Sequence, residues 1–147
     1  MRKHRGKGLK RIFSAFMMLM FVCALFMIDA QAKGNVTDEA YGFSFSDYSP
    51  YNGWVTTKRA KQDYTSSYMK CTYVSKTNYS YTAWVVAADN SEFGIDVGSK
   101  KYVFLAGSER WMVNYVKEKG YSYARIEGMP NQNGYYKVSG VWSPDSV

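Results

Sequence analysis

One leucine, Leu105, serves the whole stretch from Lys33 to Val147, whereas 22 residues of that stretch are aromatic. They comprise all 14 tyrosines, all four tryptophans, and Phe43, Phe45, Phe93 and Phe104. Tyr, Val, Thr and Ser dominate where helix-favouring unbranched side chains would otherwise stand, and those residues suit a pleated surface. Such a chain is directed to sheets, and aromatic rings have to build the core that leucines usually fill. Only three prolines and scattered charges argue against wholesale disorder.

The count starts at Lys33 because the residues before it read as a leader. Arg2, Lys3, Arg5, Lys7, Lys10 and Arg11 precede an uncharged apolar run, Ile12 to Ile28, and Ala30-Gln31-Ala32 follows it. A cationic region, an apolar region and a small-x-small site form the layout of a secretory signal peptide. Ala30 and Ala32 take the two small positions of the cleavage site, and helix-weak Asp29 closes the run. The run is also at the short edge of a membrane span, so an anchor retained with its positive end in the cytoplasm is the alternative. Cys23 lacks the small preceding residues of a lipoprotein site and reads as part of the apolar run. The expected organisation is a signal peptide at 1–32, a flexible arm at 33–40 and one β-rich domain at 41–147. The expected location is secreted, with membrane contact only through the signal peptide during export.

Removing the leader changes what the composition implies. Six of the 19 basic residues and one of the 12 acidic ones leave with it, and the net charge falls from +7 to +2. The basic balance therefore belongs to the leader, and nucleic acid is not an expected partner. His4, the only histidine, also leaves, and Cys71 is the one cysteine that stays. An intramolecular disulfide, a histidine-dependent nucleophile and a His- or Cys-rich zinc site are all excluded. No cofactor is expected. The remaining length suits one domain with its own core.

Alternation places the strands. Tyr41 to Phe45 (YGFSF) reads as a first strand and Asp47 to Gly53 as a turn; Trp54 to Thr57 begins a second, cut short by Lys58-Arg59-Ala60-Lys61. In Ser66 to Ser75, Met69, Cys71 and Tyr73 form the expected core face, with Tyr68, Lys70, Thr72 and Val74 opposite, because Lys70 is costly to bury. Asn78 to Asp89 is apolar on both faces at its centre, as a strand in the middle of a sheet would be. Further strands are expected at 101–106, 121–127 and 135–142, with a turn at 128–134. Ser108 to Gly120 is ambiguous. Ser108 suits a cap, Trp111/Tyr115 and Met112/Val116 lie four apart, and Gly120 suits the position after a helix end. Two valines and a tyrosine favour a strand, so a short helix at 108–119 is expected with a strand as its rival. The expected fold is all-β, an antiparallel β-sandwich or small barrel with that one short helix.

Few residues point to chemistry. The loop Asp89 to Asp96 superficially suggests calcium through Asp89, Glu92 and Asp96, but Phe93 and Lys100 fall where an EF-hand needs ligands, and a solvated loop is the better reading. A carboxylate-based hydrolase would need two facing acids, and the spacing of Asp47, Asp63, Glu109, Glu118 and Glu127 singles out no pair. Cys71 on the core face reads as packing. The aromatics are the best lead, since exposed Trp and Tyr stack on sugars or anchor protein partners. Trp84, Phe104 and Trp142 read as core. Tyr48, Tyr51 and Trp54, flanked by Pro50, Asn52 and Gly53, are the candidate binding patch. The basic clusters Lys58-Arg59-Ala60-Lys61 and Lys100-Lys101 read as solvated turns or edge-strand charges.

Residues Asn114 to Ile126, including Gly120-Tyr121-Ser122-Tyr123-Ala124-Arg125, and the ending Ser139-Gly140-Val141-Trp142-Ser143-Pro144-Asp145-Ser146 carry a resemblance. They look like a group of small exported proteins of Gram-positive bacteria, some of them labelled bacteriocin-like. The resemblance implies export and offers no catalytic residue. The tail reads as structural, with Trp142 packing and Pro144-Asp145 ending the strand. Two functions are carried forward: a secreted, non-enzymatic protein that binds a protein or a cell-envelope glycan, and an antagonist acting on the envelopes of other bacteria.

Overall fold

The computed structural model describes residues 34–46, 54–90 and 93–147. The leader with Ala30 and Ala32 lies outside these residues, as do Tyr48 and Tyr51. Among the described residues nine strands follow one another: β1 (Glu39–Phe45), β2 (Trp54–Val55), β3 (Arg59–Ala60), β4 (Ser67–Val74), β5 (Tyr81–Ala87), β6 (Tyr102–Phe104), β7 (Glu109–Met112), β8 (Tyr123–Pro130) and β9 (Tyr136–Ser143). They form two antiparallel sheets, one ordered β1-β9-β4-β7 and the other β2-β8-β5-β6, with β3 also pairing β8. The sheets pack face to face as a β-sandwich.

Alternation within the strands explains the packing. In β1, Tyr41, Phe43 and Phe45 are buried while Ala40, Gly42 and Ser44 face outward. β5 lies between β8 and β6 and is buried on both faces from Ala83 to Ala87. Between the sheets an aromatic cluster replaces the missing leucines. The Tyr81 ring stacks on Phe104 with centroids 5.5 Å apart, and Phe45 touches Tyr81, Tyr136 and, edge-on at 4.9 Å, Trp54. Tyrosine in a core needs partners for its hydroxyl. Tyr41 Oη and Tyr81 Oη share a hydrogen bond of 2.5 Å, and Tyr136 donates to the Ser80 carbonyl at 2.7 Å. Cys71 is a free thiol in this core, pushed above its ordinary pKa by burial.

The segment expected as a helix at 108–119 is not one, and the described residues contain no α-helix. Glu109–Met112 is β7, and buried Met112, Asn114 and Val116 alternate with exposed Trp111, Val113 and Tyr115. A period of two wins over the four-residue spacings because the segment pairs with β4, Tyr68 opposite Trp111. Ser108 caps nothing helical; its Oγ instead closes a turn on Leu105. Gly120 does adopt the expected left-handed conformation, φ 83°. Its N–H bonds the Lys117 carbonyl and that of Tyr121 bonds Val116, so a helix-ending motif closes a single turn.

Two other expectations shift. Tyr73 is exposed, not core, because the register of β4 against β9 slips between Cys71 and Tyr73 and reverses the facing. Gly128, read as a turn, lies inside β8, where a side chain would run into the Phe43 ring. The turn shrinks to the residues between Pro130 and Tyr136.

A buried polar latch joins the beginning and end of the domain. Asp145 Oδ2 accepts the backbone N–H of Asn35 at 2.6 Å and of Gln62 at 3.0 Å, while Oδ1 accepts Lys61 Nζ at 2.6 Å. Lys61 also donates to the Thr65 carbonyl. Asn35 sits in the segment expected to be a loose arm, and β1 starts at Glu39 rather than Tyr41. Arg59 bonds the Trp142 carbonyl, the Asn35 side chain and Glu39, with its guanidinium 5.5 Å from the Trp142 ring centre. The basic cluster read as solvated is thus partly inside: Lys61 is buried and Arg59 half-buried. Trp142 is fully buried, as expected.

Gly140 marks the tightest place in the four-stranded sheet, since a side chain there would meet the Lys70 carbonyl and the Tyr41 ring. Gly140→Ala is expected to lower the unfolding free energy by at least about 1–3 kcal/mol, the cost of overpacking, measured by guanidinium denaturation.

Candidate functional site

The outer face of the β1-β9-β4-β7 sheet collects the side chains that the core rejects. Strand register sets them in rows. Trp111 lies opposite Tyr68, and Tyr68 opposite Ser143. The pairing of Glu39 with Trp142 brings Asp38, one residue earlier, to the end of that row. In the next row Ala40 pairs Val141, Val141 pairs Lys70 and Lys70 pairs Glu109. Beyond it Gly42 faces Ser139. Ala40, Gly42 and Ser44 are small, so this part of the face stays open beside the aromatic row.

Val36, Asp38, Tyr68, Glu109, Trp111, Ser143 and the tail residues Asp145, Ser146 and Val147 line a cleft of about 330 Å³. Trp111 is 56% exposed, and its ring lies 5.6 Å from that of Tyr68 at an angle of 58°. The Tyr68 hydroxyl donates to Glu109 Oε2 at 2.9 Å, and Lys70 Nζ stands 3.7 Å from the same oxygen. The Tyr68 pKa is pushed up to about 12, first by burial, then by that hydrogen bond and by the negative charges of Glu109 and Asp38. The cleft thus offers a rigid aromatic pair, two carboxylates and a hydroxyl on one solvent-facing surface.

A second cluster occupies the outer face of the other sheet. Trp84 pairs across strands with Glu127, and Lys101 Nζ lies 4.2 Å from the Trp84 ring centre. Trp84 is buried, yet on this face rather than among the rings between the sheets. Glu127 is half-buried and its pKa is raised, by burial first, with Asp96 adding and Lys101 opposing.

Of the expected patch, Trp54 alone falls in the described residues, and it is half-buried against Phe45; Tyr48 and Tyr51 lie outside them. Of the supposed calcium loop, the Asp89 carboxylate accepts the N–H groups of Ser122 and Tyr123, and Asp96 accepts that of Gly98. Glu92 lies outside the described residues, among which no three acidic, His or Cys side chains gather as a metal site. The five carboxylates considered for hydrolysis do not converge where they are described. Asp63 lies by Lys61, Glu109 in the cleft, Glu118 on an exposed turn and Glu127 on the opposite sheet; Asp47 is outside. Trp111 was hidden by its helical spacing to Tyr115. The segment itself carries no signal that turns it outward, since Trp111, Val113 and Tyr115 form its more apolar side and the polar Asn114 lies on the buried one.

These features define an all-β sandwich with an exposed aromatic cleft on one sheet. The chain belongs to the family described as "Protein of unknown function (DUF2712)", whose model matches residues 28–146. No curated protein and no solved structure matches it.

Two titrations check this geometry. Tyr68 is expected to ionise near pH 12, followed by phenolate absorbance, and Glu109→Gln to lower that value without restoring the ordinary one, since burial is the larger cause. Because the folded state holds the Glu127 proton more tightly than the unfolded one, stability falls as pH rises through the raised pKa. Glu127→Gln is therefore expected to be more stable relative to wild type at neutral pH than at pH 4, in denaturation curves taken at both.

Proposed function

We propose that this chain is an exported, non-enzymatic binding protein that takes a cell-envelope glycan on the outer face of its four-stranded sheet. The observation that carries the reading is the Trp111–Tyr68 pair. A tryptophan left more than half exposed on a regular strand loses the hydrophobic stabilisation of burial, and an aromatic surface of this kind fits the apolar face of a sugar ring. Around it, Asp38 and Glu109 supply acceptors for sugar hydroxyls, and the small side chains of β1 leave room for an extended polymer. The leader composition supports export, and the missing histidines and disulfides leave recognition as the simpler role for these groups.

Antagonism of other bacteria is the second reading and rests on the C-terminal resemblance and on the mild positive charge left once the leader is removed. It requires that the protein inhibit growth of a sensitive strain, whereas a binder need only be retained on the envelope.

Co-sedimentation of the full chain with purified cell walls and insoluble polysaccharides tests the proposal. Wild type is expected to partition into the pellet. Trp111→Ala should weaken this by about tenfold or more, the scale of an aromatic hot spot, and Tyr135→Ala, exposed in the connection just before β9, should leave it unchanged. Absence of wild-type binding, or equal binding by Trp111→Ala, overturns it.

A further inference from the structure

The latch that closes the domain has the parts of a covalent crosslink. Lys61 and Asp145 are 2% and 0% exposed and lie 84 residues apart in sequence, yet Nζ and Oδ1 are 2.6 Å from each other. A third group, Asp63, places Oδ1 3.5 Å from the same Nζ. That carboxylate is oriented by Thr65, whose N–H and hydroxyl both donate to it. On the far side of Asp145, two backbone N–H groups converge on Oδ2, those of Asn35 and Gln62. Gly34 covers the cluster so closely that a side chain there would strike Asp63 and Asp145.

A nucleophile, a carboxyl carbon, a pair of donors for a developing oxyanion and a base are therefore held together, with the nucleophile and the carboxyl buried and the base at the solvent edge. We propose that Lys61 and Asp145 condense into an intramolecular amide bond, with Asp63 as the proton carrier.

The step balances without any co-reactant. One proton passes from Nζ to Oδ1 along the existing hydrogen bond, leaving a neutral amine beside a neutral acid. Nζ attacks Cγ of Asp145, and the negative charge that forms on Oδ2 is held by the N–H groups of Asn35 and Gln62. Asp63 takes a second proton from Nζ and returns it to Oδ1, the Cγ–Oδ1 bond breaks and one water leaves. No atom changes oxidation state, and Asp63 ends as it began.

Burial pushes the Asp145 pKa up, but the hydrogen bonds from Lys61, Gln62 and Asn35 outweigh it and hold the group low. The ion pair is thus the dominant form before reaction and the neutral pair a minor one. A bond that forms once in the life of each molecule tolerates a slow step, and exclusion of water removes the competing hydrolysis. The consequence is a covalent closure between the segment after β3 and the tail, whose Asp145 also borders the cleft.

Intact-mass measurement of the full chain, with its N-terminus determined by sequencing, tests the bond. The folded protein is expected to weigh one water less than its composition, and a digest should yield one branched peptide joining the segments that carry Lys61 and Asp145. Lys61→Arg keeps the charge and should restore the full mass. Asp63→Asn, with an unchanged circular dichroism spectrum, should do the same. Asp145→Asn should shed ammonia instead of water. A wild-type mass equal to its composition after prolonged incubation, or a water loss that maps elsewhere, overturns the proposal. Water loss at the wild-type rate in Asp63→Asn overturns the role given to Asp63.

Discussion

The carboxylate of Asp145 is the point on which this sandwich closes. Its two oxygens gather Asn35 from the segment before β1 and Lys61 and Gln62 from the segment after β3, and the residue is fully buried. An ion pair buried this deeply repays its desolvation only when its geometry is good and its remaining lone pairs are used. Here they are. Removing one partner would leave a charge in a dry site, which typically costs about 3–5 kcal/mol. The tail from Trp142 to Asp145 is therefore no trailing end. Arg59 stacks over Trp142 and bonds its carbonyl, and Ser67 donates to that of Pro144. The first and last strands lie side by side in one sheet, and the latch holds the segments that flank them.

The aromatic core and the aromatic cleft have a common origin. A leucine-poor chain must fill its interior with rings, and tyrosines bring hydroxyls that must be paired. Tyr41, Tyr81 and Tyr136 meet that requirement with one another or with a carbonyl. Rings this bulky sit opposite glycines: Phe43 over Gly128 and Tyr41 over Gly140. The same β1 strand that turns Tyr41 and Phe43 inward turns Ala40 and Gly42 outward. The result is a sheet face that is open except where Tyr68 and Trp111 stand.

Much of the fold was legible because period-two patterns survive locally. The both-faces-apolar centre of β5 announced an inner strand, and β1, β4, β6 and β9 fall within a residue or two of their expected limits. Errors arose where a local signal had two meanings. Trp111 with Tyr115 fits a helix face as well as one side of a strand, and only the partner strand β4 decides between them. Gly128 reads as a turn unless Phe43, 85 residues away, is known to need its space. Tyr73 faces outward because of a slip in the pairing with β9, which no window of β4 by itself contains. The candidate site suffered most. Tyr68 was placed on the outer face, but the ring that meets it and the Asp38 that ends its row come from strands distant in sequence.

What the sequence by itself determined was the class: sheets rather than helices, a core of rings, no disulfide and no histidine chemistry in the domain. Composition and alternation carry that information because they act residue by residue. The tertiary structure alone decided which polar groups are interior and which aromatics are free. Lys61 looks like a surface charge until Asp145 arrives from the other end of the chain. Trp111 looks like core until its neighbours take the inward positions. Burial is a property of pairs brought together across the sheets, so it could be read only once the register was known.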